Sequence, residues 1–357
     1  MAELTARVSK QRPALKILSQ QQIAGIDRIL VIKMSAMGDI AMSIPAVAAI
    51  KAAMPHVRIA WVVRKGVSDL LVGNPSIDKL VVAPRGLAAL RAVGPEIRRF
   101  HPNIVLDMQG LSVSALLGLY SGARLRYTWE TSREISGFIS RAVIPTPQDV
   151  NAVECLLNFA RLLGVTELPA SAPEYLTNDP ELNAYATSLL SDVHSPIVGM
   201  HIGASIANKT WPAERWVQLI KLLTNAGIQP VLFGANAERA AEEKILAAVG
   251  SQVLSLVGKT SPRQLAATIS RCAVFVGGDT GATHIAALVR TPVVALMGPT
   301  PPAKVAPYGT NNDVISLNLP CSPCFRHPTC NGRYMCMGDI EAQRVFNACT
   351  SKLVAAL

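Results

Sequence analysis

Four loops in the sequence join an apolar run to a helical pattern and carry side chains suited to proton transfer or anion binding. The first is Lys33-Met34-Ser35-Ala36-Met37-Gly38-Asp39. Gly38 permits a tight turn and Asp39 falls where a helix N-cap would lie, so its carboxylate either caps the helix or takes a proton from an incoming hydroxyl. The second loop is Val276-Gly277-Gly278-Asp279-Thr280-Gly281-Ala282-Thr283-His284. Backbone N–H groups at a helix start, beside glycines with no side chain in the way, form a seat for phosphate oxygens such as those of a diphosphate. The plainer alternative is a strand-to-helix turn capped by Thr280 or Asp279. Asp-Thr-Gly is also the aspartic-protease tripeptide, but that chemistry needs two facing carboxylates and the chain has one copy.

The third loop, Gly203 to Pro212, offers Lys209 to neutralise a departing phosphate and Ser205 to donate a hydrogen bond to it. The fourth, Phe233-Gly234-Ala235-Asn236-Ala237-Glu238, ends in an acid that either accepts from ribose hydroxyls or sits as a charge at a helix N-terminus. Neither a G-x-G-x-x-G nor a Walker sequence occurs, which leaves dinucleotide redox chemistry and P-loop hydrolysis without support. Nor is there a G-x-S-x-G or Cys/His/Asn pattern for acyl transfer. Five of the seven cysteines come late, and Cys321, Cys324, Cys330 and Cys336 follow a Cys-x2-Cys-x5-Cys-x5-Cys spacing. The ligand count is compatible with zinc or an iron–sulfur centre, the spacing fits neither pattern well, and free thiols shaping a loop are the default; no metal is required by the chemistry above.

A loop after a strand can present such groups when a parallel sheet stands behind it, and the elements read that way. Short apolar runs at Arg28–Lys33, Val57–Val63, Lys79–Val82 and Asn103–Met108 alternate with helical patterns at Ile40–Met54, Gly66–Val72, Leu87–Phe100 and Leu111–Tyr120. A second series has strands at Pro196–His201, Gln229–Phe233, Val253–Val257, Val274–Val276 and Pro292–Leu296. Its helices read Trp216–Asn225, Ala237–Val249, Pro262–Arg271 and Thr283–Val289. This predicts an α/β chain of two doubly wound lobes joined by a linker near residues 170–195, with residues 1–27 as a polar leader. Open parallel sheets bind ligands outside the carboxyl ends of their strands, where the four loops lie.

The chain has 357 residues, half of them apolar, enough for two cores. Its longest apolar runs are interrupted by Ser43, Pro45, His284 and Arg290, so no membrane span is expected, and the leader lacks the apolar stretch of a secretion signal. Those features point to a cytoplasmic protein. Residues 1–150 hold 19 Lys and Arg against 10 Asp and Glu, while the remainder is nearly neutral. One lobe therefore meets a polyanion: an acidic lipid surface, a phosphorylated substrate or nucleic acid. Aromatics make up only 5% and show no pattern for stacking bases, which argues against nucleic acid.

In combination these residues resemble the heptosyltransferases of lipopolysaccharide core synthesis, glycosyltransferase family 9. The similarity runs from Arg28 to Leu357 and rests on Met37-Gly38-Asp39-Ile40, Trp61-Val62-Val63, Ser132-Arg133-Glu134, Lys209-Thr210-Trp211-Pro212, Gly278-Asp279-Thr280-Gly281 with His284, and Gly298-Pro299-Thr300. The resemblance implies a GT-B architecture: two Rossmann-like lobes, residues 28–180 for the acceptor and 181–357 for the nucleotide sugar, with an interlobe cleft. It implies inverting, metal-independent transfer of a heptose from ADP-heptose to the inner core of lipid A-linked sugar, at the inner face of the cytoplasmic membrane. Asp39 matches the family's base and Lys209 its donor-side lysine. Asp279, Thr280 and Gly281 match its diphosphate and sugar contacts, with His284 and Ser205 beside them and Glu238 near the ribose acid. Arg64, Lys65 and Arg133 would face the acidic acceptor. The leader and the Cys-rich tail depart from the common pattern. Another family 9 sugar transferase, a nucleotide-sugar epimerase or hydrolase on the same fold, and a non-catalytic sugar-nucleotide sensor are the competing expectations.

Overall fold

The structure, a computed structural model, describes residues 17–129, 135–146, 148–167 and 172–355. It contains two six-stranded parallel sheets. The first is built from β1 (Arg28–Ile32), β2 (Arg58–Arg64), β3 (Lys79–Ala83), β4 (Ile104–Asp107), β5 (Leu125–Trp129) and β6 (Arg141–Val143), in the order β3-β2-β1-β4-β5-β6. The second uses β7 (Ile197–His201), β8 (Gln229–Phe233), β9 (Leu254–Ser255), β10 (Val274–Gly278), β11 (Val293–Leu296) and β12 (Asn312–Ile315), in the order β12-β11-β10-β7-β8-β9. The two orders are the same when each series is counted from its own first strand. Each sheet therefore has one point where the winding reverses, between β1 and β4 and between β7 and β10, and there the loops splay to leave a crevice.

The central strands are continuous apolar runs because helices cover both faces of a parallel sheet. Ile29, Leu30, Val31 and Ile32 of β1 are all fully buried, as are Val274, Phe275 and Val276 of β10. The first core gathers Leu30, Ile32, Val62, Val81, Val93, Ile97 and Val105. The second gathers Val198, Met200, Leu232, Val276, Leu296 and the Trp211–Trp216 pair, packed edge to face at 4.6 Å. In β7, Gly199 is required by space: an added Cβ would stand 2.8 Å from Phe275 and 2.9 Å from Cys272 Sγ.

The chain divides into two compact units between residues 170 and 171, and Ala36–Ala41 is grouped with the second. That break falls at the start of the stretch near residues 170–195 expected as a linker, which is largely helical where it is described. Helices Glu174–Thr177 and Pro180–Leu189 occupy it, and both pack against Pro262–Ile269. Asp179 accepts from the Leu182 N–H at 3.0 Å and pairs with Arg263 at 3.1 Å. The signal was present as an N-cap Asp followed by Pro at the first helical position, hidden in a Pro-rich stretch. Strands β5, β6 and β12 and the helix Ala152–Arg161 are further elements that periodicity missed. The edge strands β6 and β12 are short, with side chains on their outer sides exposed, so neither shows a buried apolar run. No helix among the described residues is long and apolar enough to cross a membrane.

Candidate functional site

In the second unit the loops after β7, β8 and β10 supply the chemistry, the last two flanking the first in the sheet. Asp279 follows β10. Its Oδ2 accepts from Lys209 Nζ at 2.5 Å, and its Oδ1 lies 3.5 Å from Nε2 of the buried His284. The Lys209 and Asp279 side chains are only 15% and 13% exposed. Burial alone would raise the Asp279 pKa, but hydrogen bonds from His284 and Lys209 and their positive charge outweigh it and hold the carboxyl at about 2. Lys209 closes the turn Ala207–Lys209. That turn is pinned from behind by Asn208, whose amide donates to the Phe325 carbonyl at 2.8 Å.

Thr280 occupies the N-cap position of the helix Gly281–Leu288, with extended backbone and no side-chain capping bond. Its hydroxyl turns instead to Thr283 Oγ1 at 3.1 Å and to His201 Nδ1 at 3.5 Å. Thr283 Oγ1 in turn donates to the Gly278 carbonyl at 2.6 Å. The helix start therefore has backbone donors left uncapped by Thr280, next to the cation Lys209: an anion seat. Neither capping role open to Thr280 and Asp279 in the sequence is filled by a side chain. Met37 and Gly38 belong to this unit, and a Cβ on Gly38 would stand 3.0 Å from the His284 ring and 3.3 Å from Gly281 Cα.

His201, the last residue of β7, was not picked out from the sequence; its position at a carboxyl strand end is the signal that marks it. Burial pushes its imidazole down to about 4, against a hydrogen bond to the Gly203 backbone that raises it, so the ring is neutral near pH 7. Glu238 follows β8. Its Oε2 accepts from the Ala235 N–H at 2.7 Å, and its side chain covers Gly203, where an added Cβ would come within 2.8 Å of Glu238 Cδ and 2.9 Å of His201 Cε1. Ser205 lies exposed on the loop before Lys209.

In the first chain segment, Asp39 is not the N-cap of its helix. It is the third residue of Met37–Ala53 and reaches back so that Oδ2 accepts from the Ala36 N–H at 2.9 Å. The loop before it is fixed by Gln109, whose Oε1 accepts from Met34 N–H at 2.8 Å and Ser35 N–H at 3.1 Å. Gln109 is held by buried Asp107 at the end of β4, which also accepts from Gly110 N–H and the Ser114 and Ser136 hydroxyls. Burial raises the Asp107 carboxyl despite these four bonds. The Arg64 N–H donates to the Met34 carbonyl, and its half-buried side chain leaves Nε buried with no protein partner. Lys65 beside it is exposed, and Arg133 lies outside the described residues.

All seven cysteines are free thiols. Burial pushes Cys336 up to about 11, and Cys324, Cys321 and Cys330 lie near enough to add to the shift; Cys336 itself sits in the helical turn Met335–Gly338. Among the described residues, no three His, Cys, Asp or Glu side chains are arranged to hold a metal ion.

A sequence profile of glycosyltransferase family 9 (heptosyltransferase) matches residues 90–335. Lipopolysaccharide heptosyltransferase 1 of Escherichia coli K12 is 29% identical over 304 residues, covering 80% of this chain and 92% of that protein. Lipopolysaccharide heptosyltransferase 2 of Salmonella typhimurium is 27% identical over 342 residues, covering 91% and 98%. Among solved structures, E. coli ADP-heptose LPS heptosyltransferase II superposes with a TM-score of 0.76 at 25% identity, covering 92% of this chain and 99% of that one.

Proposed function

Because the chain belongs to glycosyltransferase family 9, we propose that it moves a heptose from ADP-heptose to the inner core of lipopolysaccharide, with inversion and without a metal. The observation that carries the donor half is the Lys209–Asp279–His284 cluster beside the uncapped start of Gly281–Leu288. Its relatives' names supply the sugar and the acceptor. In this reading Asp279 does not touch the diphosphate. It orients Lys209 and His284, and the cation with the N–H groups of residues 281–283 takes the negative charge that grows on departing ADP. Thr280 and Gly281 border the seat, Ser205 adds a donor, and Glu238 accepts from the ribose.

Inversion requires one displacement. Asp39 withdraws the proton of the acceptor hydroxyl as its oxygen attacks the anomeric carbon from the face opposite ADP; the C–O bond to the diphosphate breaks and the pair of electrons leaves with it. The hydrogen bond from the Ala36 N–H to Asp39 Oδ2 fixes this carboxylate at the start of its helix, where the acceptor hydroxyl would meet it. Residues 28–180 take the acceptor, with Arg64, Lys65 and Arg133 meeting its phosphates; the buried Nε of Arg64 supports this, since a donor without a protein partner is costly unless an anion completes it. The acceptor is lipid-linked, so the protein works as a cytoplasmic enzyme held at the inner face of the cytoplasmic membrane by salt-sensitive attraction.

The test is mass spectrometry of lipid A–core species after incubation with a panel of nucleotide sugars. A heptose-mass increment from ADP-heptose alone is the expected result. Consumption of the donor with no acceptor present would instead select the epimerase or hydrolase, and an increment from another sugar would select a different family 9 transferase.

A further inference from the structure

Thr280 stands at the N-cap of Gly281–Leu288 with the extended backbone that a capping residue adopts, yet its hydroxyl makes no cap. A threonine there ordinarily accepts from the second or third N–H of its helix, a preference of about fivefold. In this helix Ala282 and Thr283 carry those N–H groups, and they are the donors a diphosphate on the helix start would need. A seat that closes on itself when empty holds its anion more weakly, because the anion must first displace the hydroxyl.

Two groups draw the hydroxyl away. Thr283 Oγ1, at 3.1 Å, belongs to the same helix and is itself anchored on the Gly278 carbonyl. His201 Nδ1, at 3.5 Å, comes from β7, the strand beside β10 in the sheet. The imidazole is confined where it stands. In the β7–β10 register His201 lies opposite Gly277, where an added Cβ would be 3.6 Å from His201 Cβ and 2.6 Å from Thr283 Oγ1. An added Cβ on Gly203 would meet His201 Cε1 at 2.9 Å and Glu238 Cδ at 2.8 Å, so the ring edge and the Glu238 carboxyl border one space, with Glu238 tied down by the Ala235 N–H. Burial keeps the ring neutral, so it adds no cation to the seat; its contribution is to aim a hydroxyl.

We propose that His201 is a positioning residue of the donor site: by bonding Thr280 it holds that hydroxyl off the helix N-terminus and keeps the N–H groups of Ala282 and Thr283 open to the nucleotide diphosphate. This rests on the reading of the Gly281–Leu288 start as the diphosphate seat. The test is a double-mutant cycle on the full chain, read by ADP calorimetry and, with no ligand present, by amide hydrogen exchange at Ala282 and Thr283. His201→Phe keeps a ring and removes the nitrogen. It weakens ADP binding by about fivefold and slows exchange at Ala282 or Thr283 by a similar factor, as Thr280 swings into the cap. His201→Asn, whose amide puts a polar atom where Nδ1 stood, restores most of both. Thr280→Val cannot cap, so with that change present in both proteins His201→Phe alters neither readout. Unchanged exchange in His201→Phe overturns the assignment. So does an ADP loss equally large beside Thr280→Val, which makes the ring a direct nucleotide contact or a prop of the fold. A wild type that binds no ADP refutes the diphosphate reading, while the exchange cycle separately decides whether His201 governs the cap.

Discussion

Both oxygens of the Asp279 carboxylate are committed, one to Lys209 and one to His284, so an acid in the middle of an anion seat does not repel the anion. In the proposed reading it orients the groups that meet the phosphates. Removing the cation with Lys209→Met should lower kcat by about 10²–10³-fold, as for loss of one preorganised donor. The same variant should change stability with pH in a defined sense. The Asp279 carboxyl is depressed from 3.8 to about 2 in the fold, so its contribution is complete above the unfolded value and is lost as pH falls toward about 2. Urea titrations should therefore show wild type ahead of Lys209→Met at neutral pH, with the gap closing below about pH 4. For Asp39→Asn the expected loss is in kcat, about 10²–10⁴-fold, with ADP affinity by calorimetry unchanged. His201 should titrate near 4 in an NMR pH series, because folding keeps its ring neutral; a midpoint near 6.5 would place the ring in water.

At the scale of elements, the site depends on how closely strands and loops approach. β7 is central to the second sheet, and Gly199 lets it lie against Phe275, Cys272 and Phe233. Gly199→Ala should cost about 1–3 kcal/mol in chemical denaturation, whereas Gly66→Ala, where an added Cβ meets nothing within 4 Å, should be neutral or stabilising by about 0.5–1 kcal/mol. The strand–loop–helix order around Asp39, Lys209 and Asp279 was legible because apolar runs of period-free sequence between Gly-rich turns have few other solutions. The helix Pro180–Leu189 was not, because its pairing with Pro262–Ile269 is a tertiary contact and its local signals look like a linker. Likewise Asp39 could be placed at a helix start, but only the structure distinguishes the first cap from the reach-back at the third residue.

For the molecule as a whole, charge is distributed between halves rather than patches that a local motif would reveal. The 19 basic against 10 acidic residues among the first 150 act on whatever polyanion approaches. Rising ionic strength should therefore reduce kcat/KM for the acidic acceptor through KM, with little change in kcat, when turnover is followed at saturating donor. The dependence should be steepest at low salt, where the Debye length exceeds about 10 Å.

Taken alone, the amino-acid order determined the α/β class, the doubling of the parallel sheet, the loops that bear Asp39, Lys209 and Asp279, and the family likeness, because each is written in local periodicity and short-range spacing. Tertiary structure decided the partners. That Lys209 and His284 divide one carboxylate, that Thr280 turns to His201 instead of capping its helix, and that Gln109 fastens the loop ahead of Asp39 are contacts between residues up to 79 positions apart. Such pairings arise only when strands from separate βαβ units are laid side by side, and no stretch of sequence read by itself contains that neighbourhood.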